Sequence, residues 1–275
     1  MGKSAYRHME RTLTGNEKDI VILGAGNVAT HLAISLSRQA HISQIYNHNI
    51  KGAQELAAQV RAEAIDDLRA LDPHAGLYII SVKDDAIATI AEYMKGFGGL
   101  WAHTSGSVPM SALSPTSDTY GVFYPMQTFS KYVSVDMAKV PIFIEGSSEN
   151  VTEHLKEYAS LISSKVYEAD SERRARLHIA AVFACNFTNR LWDISANLLK
   201  KIGLEFDTMQ PLVEAMLTKA CAVTPHEGQT GPARRKDMKI IKKHLEMLEG
   251  EDKELYSILS DSIIKQYYPD EQDKL

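Results

Sequence analysis

The sequence predicts an α/β chain in which a doubly wound, mainly parallel sheet is followed by an all-α segment. Three observations carry this prediction. Short apolar runs alternate with amphipathic stretches as far as about residue 170. The runs are apolar at successive positions, not at every second one, as in strands buried on both faces. From Ser171 onward the alternation stops and helical spacing persists. The expected division is an N-terminal tail over residues 1–17, an α/β domain over 18–170 and a helical domain over 171–275.

"DIVILGAG" reads as a buried strand that breaks at glycine. "NVATHLAISLSRQ" then places Val28, Leu32, Ile34 and Leu36 at helical spacing. "ISQIYNHN" is a second strand and "IKGAQELAAQVRA" a second helix, with Asp66 and Asp67 in the connection beyond it. "GLYIISVKDD" and "GLWAHTSGS" are strands on either side of the helix "AIATIAEYMKG". "KVPIFIEGS" and "SKVYEAD" are strands flanking the helix "ENVTEHLKEYASLIS". Strands alternating with helices in this way form βαβ units. Beyond them, helix is expected over 172–202, about 207–224, and 233–268 with a break near Gly250.

Composition narrows the function classes. Apolar residues make up 44% of the 275 and charged residues 24%, ordinary values for a globular protein. The net charge of −5 argues against nucleic acid as the main partner. Cys185 and Cys221 are the two cysteines, too few for a disulfide framework or a cysteine zinc site, and they suit a reducing cytoplasm. No metal site is expected. No apolar run approaches the roughly 18 residues of a membrane span. "MGKSAY" resembles a myristoylation start only loosely, and a short tail is the expectation there.

The chemistry starts at "VILGAGNVATHLA". Gly24, Gly26 and Ala29 form G-x-G-x-x-A between a strand and a helix. The first glycine permits a tight turn, the second lets the backbone approach a pyrophosphate, and the third position needs a small residue where helix meets strand. The helix N-terminus adds N–H donors and the positive end of its dipole. Gly24, Ala25, Gly26, Asn27 and Val28 are therefore expected to hold a dinucleotide in a Rossmann-type domain; a nucleotide-free scaffold of the same topology is the alternative. The end of the second strand selects the cofactor. NAD-binding domains place a carboxylate there for the ribose 2′-hydroxyl. This chain has Asn47, His48 and Asn49, with Lys51 nearby, so nothing repels a 2′-phosphate. NADP is expected over NAD.

Ligands of open α/β sheets gather at the carboxyl ends of the strands. Val82 and Lys83 close one strand there, and Thr104 joins them as a cofactor neighbour. The loop "HTSGS" is rich in hydroxyl and N–H groups; Ser105 and Gly106 suit a substrate oxygen, and His103 is a candidate proton donor. In "GVFYPMQTFSK", Tyr124 and Gln127 are candidate substrate contacts, and Tyr124 precedes a proline that forces extended backbone. In the helical part, residues 179–187 are apolar on all sides except Asn186, so this helix is expected to be central and buried. His178 and Asn186 are candidate catalytic groups on it. In "TGPARRKD", Pro232 is expected in a first helical turn, and Arg235 with Asp237 could pair or orient a substrate anion.

Taken together, "ILGAGNVATHLA", "IYNHNIKGAQELA" and "YIISVKDDAI" resemble, over residues 19–110, one NADP-binding superfamily. It contains 6-phosphogluconate dehydrogenase, β-hydroxyacid dehydrogenases, pyrroline-5-carboxylate reductase and deazaflavin-dependent NADP reductase. More closely, "HTSGS", "YPMQTFS", "HIAAVFACNFTN" and "TGPARRKD" are similar to the blocks of an oxidoreductase family with a Rossmann-like domain and a C-terminal helical domain. This likeness runs from about residue 18 to 268. The resemblance implies reduction or oxidation of C–O or C–N bonds with NAD(P)H, and a homodimer built through the helical domain. The chain departs from the β-hydroxyacid dehydrogenases, which carry a catalytic Lys with Asn four residues on. Here His178 and Asn186 stand eight apart, and no Lys lies between Ser171 and Lys200. The glycine-rich helical signature of pyrroline-5-carboxylate reductases is also missing. Two functions remain. One is an NADP-dependent oxidoreductase acting on a small, anionic carbonyl or imine compound, or on a deazaflavin. The other is a dinucleotide-sensing protein without turnover.

Overall fold

The computed structural model describes residues 19–269, so the expected tail and the "MGKSAY" reading lie outside the described residues. The chain forms two compact units. The first ends at Asn186 and the second begins at Phe187.

The first unit is built on one eight-stranded sheet in the order β3-β2-β1-β4-β5-β6-β7-β8. The elements, in chain order, are β1 (Asp19–Leu23), α1 (Asn27–Leu36), β2 (His41–Tyr46), α2 (Ile50–Val60), β3 (Glu63–Ile65), β4 (Leu77–Ile80), α3 (Asp84–Tyr93), β5 (Trp101–His103), β6 (Tyr120–Pro125), β7 (Ile142–Gly146), α4 (Glu149–Ser160), β8 (Val166–Glu168) and α5 (Ser171–Ala181). Strands β1 to β6 are parallel to one another. β7 runs antiparallel to β6, and β8 is parallel to β7.

The unbroken apolar runs are explained by this sheet. Ile20 and Ile22 of β1 join a core with α1, α2 and α4, while Val21 and Leu23 join a second core with α3 on the other face. Both faces are covered, so neither parity of the strand can be polar. Two strands went unread in the sequence. β3 has three residues, too few for a periodic signal. β6 lies in "GVFYPMQTFSK", where Tyr124-Pro125 implies extended backbone without a strand pattern, and residues 121–125 are buried. Its proline is tolerated as the last residue, where the ladder ends.

Strand order reverses between β1 and β4. Backbone bonds mark a common edge beyond the strands there. Gly24 N donates to Tyr46 O (2.7 Å), Ser81 N to Leu23 O (2.7 Å), and Thr104 N to Ile80 O (3.1 Å). The residues that follow each parallel strand are thus brought side by side.

Helix α5 belongs to the first unit, and the chain stays helical through a π-helical stretch, Val182–Phe187, into α6 (Thr188–Lys200). The second unit continues with α7 (Gln210–Ala222), α8 (Pro225–Gly228), α9 (Met238–Met247) and α10 (Gly250–Tyr267). Pro232 lies in a turn, not in a helix; α9 starts later, capped by the Asp237 side chain accepting from Ile240 N (3.2 Å). Among the described residues no helix is long and apolar enough to cross a membrane.

Candidate functional site

A groove of about 890 Å3 opens at the carboxyl edge of the sheet, where strand order reverses between β1 and β4. Gly24 takes φ +125°, and a Cβ there would sit 2.1 Å from the Ser81 carbonyl oxygen. Only glycine lets β1 turn this tightly against β4. Gly26 differs. A Cβ there would meet nothing within 4 Å, because the residue faces the open groove. Gly26 also precedes α1, whose first amides have no side-chain cap. Ala29, one turn on, is fully buried. An uncapped helix N-terminus behind an exposed glycine backbone fits a pyrophosphate, by charge and by hydrogen bonding.

Ala25, Asn27, Val28, Asn47 and His48 line the same groove. Asn49 does not. Its side chain caps α2 by accepting from Lys51 N (3.0 Å), while the Asn47 amide donates to Asn49 O (2.9 Å). These two amides hold the start of α2, so the Asn49 side chain already has a structural role there. His48 is the exposed residue of the three that faces the groove.

At the other end the groove is lined by Val82, Lys83, Asp84, Thr104, Ser105, Gly106, Tyr124, Gln127 and His178. Ser105 is 6% exposed, and its Oγ accepts from the amides of Ser107 (3.1 Å) and Val108 (3.0 Å). The hydroxyl therefore shapes the loop as well as lining the groove. Ser107 Oγ donates to Asp84 Oδ2 at 2.5 Å.

Tyr124 Oη and His178 Nδ1 lie 3.1 Å apart, one on β6 and the other on α5. Gly106 makes room for them: a Cβ there would fall 2.6 Å from His178 Nδ1 and 2.9 Å from Tyr124 Cζ. Burial raises the Tyr124 phenol above its ordinary pKa, partly offset by the Arg174 cation. The phenol is consequently protonated at neutral pH.

His103 is a correction. It is fully buried within β5, is not among the groove-lining residues, and its Nδ1 accepts from Ser105 N (3.2 Å). Burial first, and the Arg174 cation second, lower its pKa to about 4. The ring is neutral at physiological pH and cannot serve as the acid facing a substrate. The burial expected around Asn186 is a second correction. It is exposed, as are Ile179, Phe183 and Phe187, so this helix is not the buried centre expected from its composition. The π-helical stretch also breaks the α-helical spacing that would relate Asn186 to His178. Arg235 is exposed in the second unit, and Asp237 is used as a helix cap.

One group that sequence reading missed is Arg174, one turn before His178 and fully buried. It pairs with Glu145 of β7. Its position among charged neighbours, "SERRAR", gave it the look of a solvated helix face. Among the described residues no cluster of three His, Cys, Asp or Glu is arranged to hold a metal.

Residues 140–263 match the model of a domain of unknown function, DUF2520. No curated protein matches the chain. A "putative NADP oxidoreductase" from Bacteroides fragilis is 45% identical, with a TM-score of 0.86, over 91% of this chain and 100% of the other. A protein from Thermotoga maritima is 21% identical with a TM-score of 0.72, covering 90% of this chain and 97% of its own. An imine reductase from Myxococcus stipitatus, solved with NADP+, is 12% identical with a TM-score of 0.63, covering 93% and 95%. The last two show a shared fold. With 45% identity along nearly its whole length, the chain belongs to the family of the Bacteroides fragilis protein.

Proposed function

We propose that this NADP-dependent oxidoreductase moves a hydride between NADP(H) and a small carbonyl or imine compound, with Tyr124 and His178 handling the proton. The observation that carries the reading is the Tyr124–His178 pair at one end of the groove whose other end is the Gly24–Val28 loop. NADPH, when bound, supplies the hydride. The chain supplies the rest. The amides at the start of α1 hold the pyrophosphate, and Asn47 and His48 border the 2′-phosphate. Val82, Lys83 and Thr104 flank the nicotinamide end. In the reducing direction the Tyr124 O–H gives its proton to the substrate oxygen or nitrogen and takes one from His178 Nδ1. His178, half-buried, is recharged from water. Such a relay matches a proton donor to developing charge. Ser105, Gly106 and Gln127 border the substrate. An anionic substrate has Lys83 as its partner in the groove, with Asp84 and Asp85 opposing it; a deazaflavin is the larger acceptor to be tested.

We further propose a homodimer through the helical unit. Leu212, Met216 and Leu217 of α7 and Ile258 and Leu259 of α10 are exposed apolar residues, and such patches are covered in partner interfaces. Sedimentation equilibrium tests it; a monomer at all concentrations overturns it.

The function is tested by NADPH oxidation across keto acids, cyclic imines and deazaflavin, beside calorimetric binding of NADPH and NADH. Turnover with one class, lost in Tyr124→Phe while NADPH still binds, supports the reading. Tight NADPH binding without turnover on any class makes the protein a dinucleotide sensor. Failure to bind either dinucleotide overturns both.

A further inference from the structure

We propose that Arg174 is a positioning residue, whose guanidinium ties α5 to the Ser105–Met110 loop and thereby fixes His178 against Tyr124 and Gly106. The inference rests on reading Tyr124 and His178 as the proton-handling pair.

The Arg174 side chain is 1% exposed and that of its partner Glu145 is 15% exposed. Arg174 Nη1 donates to Glu145 Oε2, and Nη2 donates to Val108 O (2.6 Å) and Ser171 Oγ (3.3 Å). Ser171 Oγ donates to the same carboxylate (2.8 Å to Oε2) and accepts from Met110 N (3.1 Å). Three segments meet here: the end of β7, the first turn of α5, and the loop that carries Ser105 and Gly106. Nothing in the core of the sheet requires a charge at this point, and a buried ion pair adds little to stability over an apolar pair of the same volume. What it does supply is direction. The planar guanidinium has a fixed fork of donors, so Val108 O and the Glu145 carboxylate can be met together in one orientation of α5. His178 lies four residues on, and therefore on the same face of that helix. The space beside Gly106 on the His178 side is too small even for a methyl group, which limits a slip of α5 toward the loop, and a slip away stretches the bond from Arg174 to Val108 O.

The test uses the full-length chain with ring-15N-labelled histidine. His178 signals are assigned with His178→Gln, and Tyr124→Phe defines the spectrum of a His178 ring without its phenol partner. In Arg174→Met/Glu145→Leu, which removes both charges together, the His178 nitrogen shifts are expected to move most of the way to those of Tyr124→Phe. Arg174→Lys, retaining the charge without the fork, should recover part of the wild-type spectrum. NADPH affinity should stay within about threefold, because the Gly24–Val28 loop is not held by this cluster, while any measured turnover falls in kcat more than in KM. Wild-type His178 shifts in the folded double variant overturn the proposal. If that variant does not fold, Ser171→Ala decides. It keeps the ion pair and removes the hydroxyl bridging it to Met110, and a His178 spectrum unmoved there also overturns the proposal. Should Tyr124→Phe itself leave His178 unchanged, the proton-handling pair is wrong, an outcome separate from failure of the clamp.

Discussion

The phenol oxygen of Tyr124 sits 3.1 Å from Nδ1 of His178, across 54 residues of sequence. Neither position in the sequence pointed to the other. If the pair delivers the proton, Tyr124→Phe should reduce kcat by about 10²-fold or more, the usual size of a general acid contribution. His178→Gln should cost a similar factor, and the double variant little more, because one relay is broken either way. Calorimetric NADPH affinity should be unchanged. Full activity in Tyr124→Phe would remove the pair from the mechanism.

Gly106 gives a second handle on the same geometry. An alanine methyl would overlap the His178 ring and the Tyr124 ring together. Gly106→Ala should therefore push the pair apart, with a loss of up to about 10²-fold in kcat, since a displacement near 1 Å carries that penalty. Melting temperature and NADPH binding should shift far less than turnover. Loss of all three in parallel would mean that the loop has simply unfolded.

These long-range relations mark the limit of what the sequence could show. The glycine loop was legible because strand, turn and helix are contiguous, and each glycine has a local reason. The helical run after Ser171 was legible from spacing. For His103 the sequence left two roles open, a proton donor or a structural histidine within a strand, and its burial in β5 decides for the second. The surroundings of Asn186 differ from expectation because an apolar helix need not be a buried one: Ile179, Phe183 and Phe187 are exposed. β6 and Arg174 depended on partners far along the chain, Ile142 to Gly146 for one and Val108 with Glu145 for the other.

The two glycines of the loop should separate folding from binding. Gly24→Ala places a methyl against the Ser81 carbonyl at φ +125°. Backbone strain and overpacking together should cost about 2–5 kcal/mol, measurable by urea denaturation. Gly26→Ala meets no atom, so its stability should change by no more than about 1 kcal/mol. Its methyl nevertheless occupies the approach to the helix amides, and NADPH affinity should fall about tenfold or more, roughly 1.4 kcal/mol. Equal effects of both variants on stability would contradict the assignment of Gly26 to the cradle.

Cofactor choice should turn on His48, the exposed groove residue after β2. His48→Glu introduces the carboxylate that NAD-binding domains place there, adding repulsion against a 2′-phosphate and an acceptor for a 2′-hydroxyl. The ratio of NADPH to NADH affinity should drop by about tenfold or more at low salt, and less at high salt, because the site is exposed to solvent and screened. A ratio untouched by the substitution would place the 2′-phosphate elsewhere.

His103 predicts a pH dependence of stability, with a definite sign. Its pKa is held near 4 in the folded chain against an ordinary 6.5. Above about 6.5 neither folded nor unfolded chain carries the proton, and the full stability is present. As the pH falls below that value the unfolded chain takes up the proton first, and stability declines until the folded ring also titrates near 4. At 1.36 kcal/mol per unit this amounts to about 3 kcal/mol, an order-of-magnitude figure. His103→Gln is the comparison, since it keeps a polar side chain in β5 without titrating. Guanidinium unfolding at a series of pH values should show the wild type losing stability between pH 6.5 and 4 more steeply than the variant. The variant's pH–rate profile should keep its wild-type shape, because His103 does not face the groove. Parallel stability curves for the two proteins would mean that the buried ring carries no such burden; a displaced rate profile would return His103 to the list of proton donors.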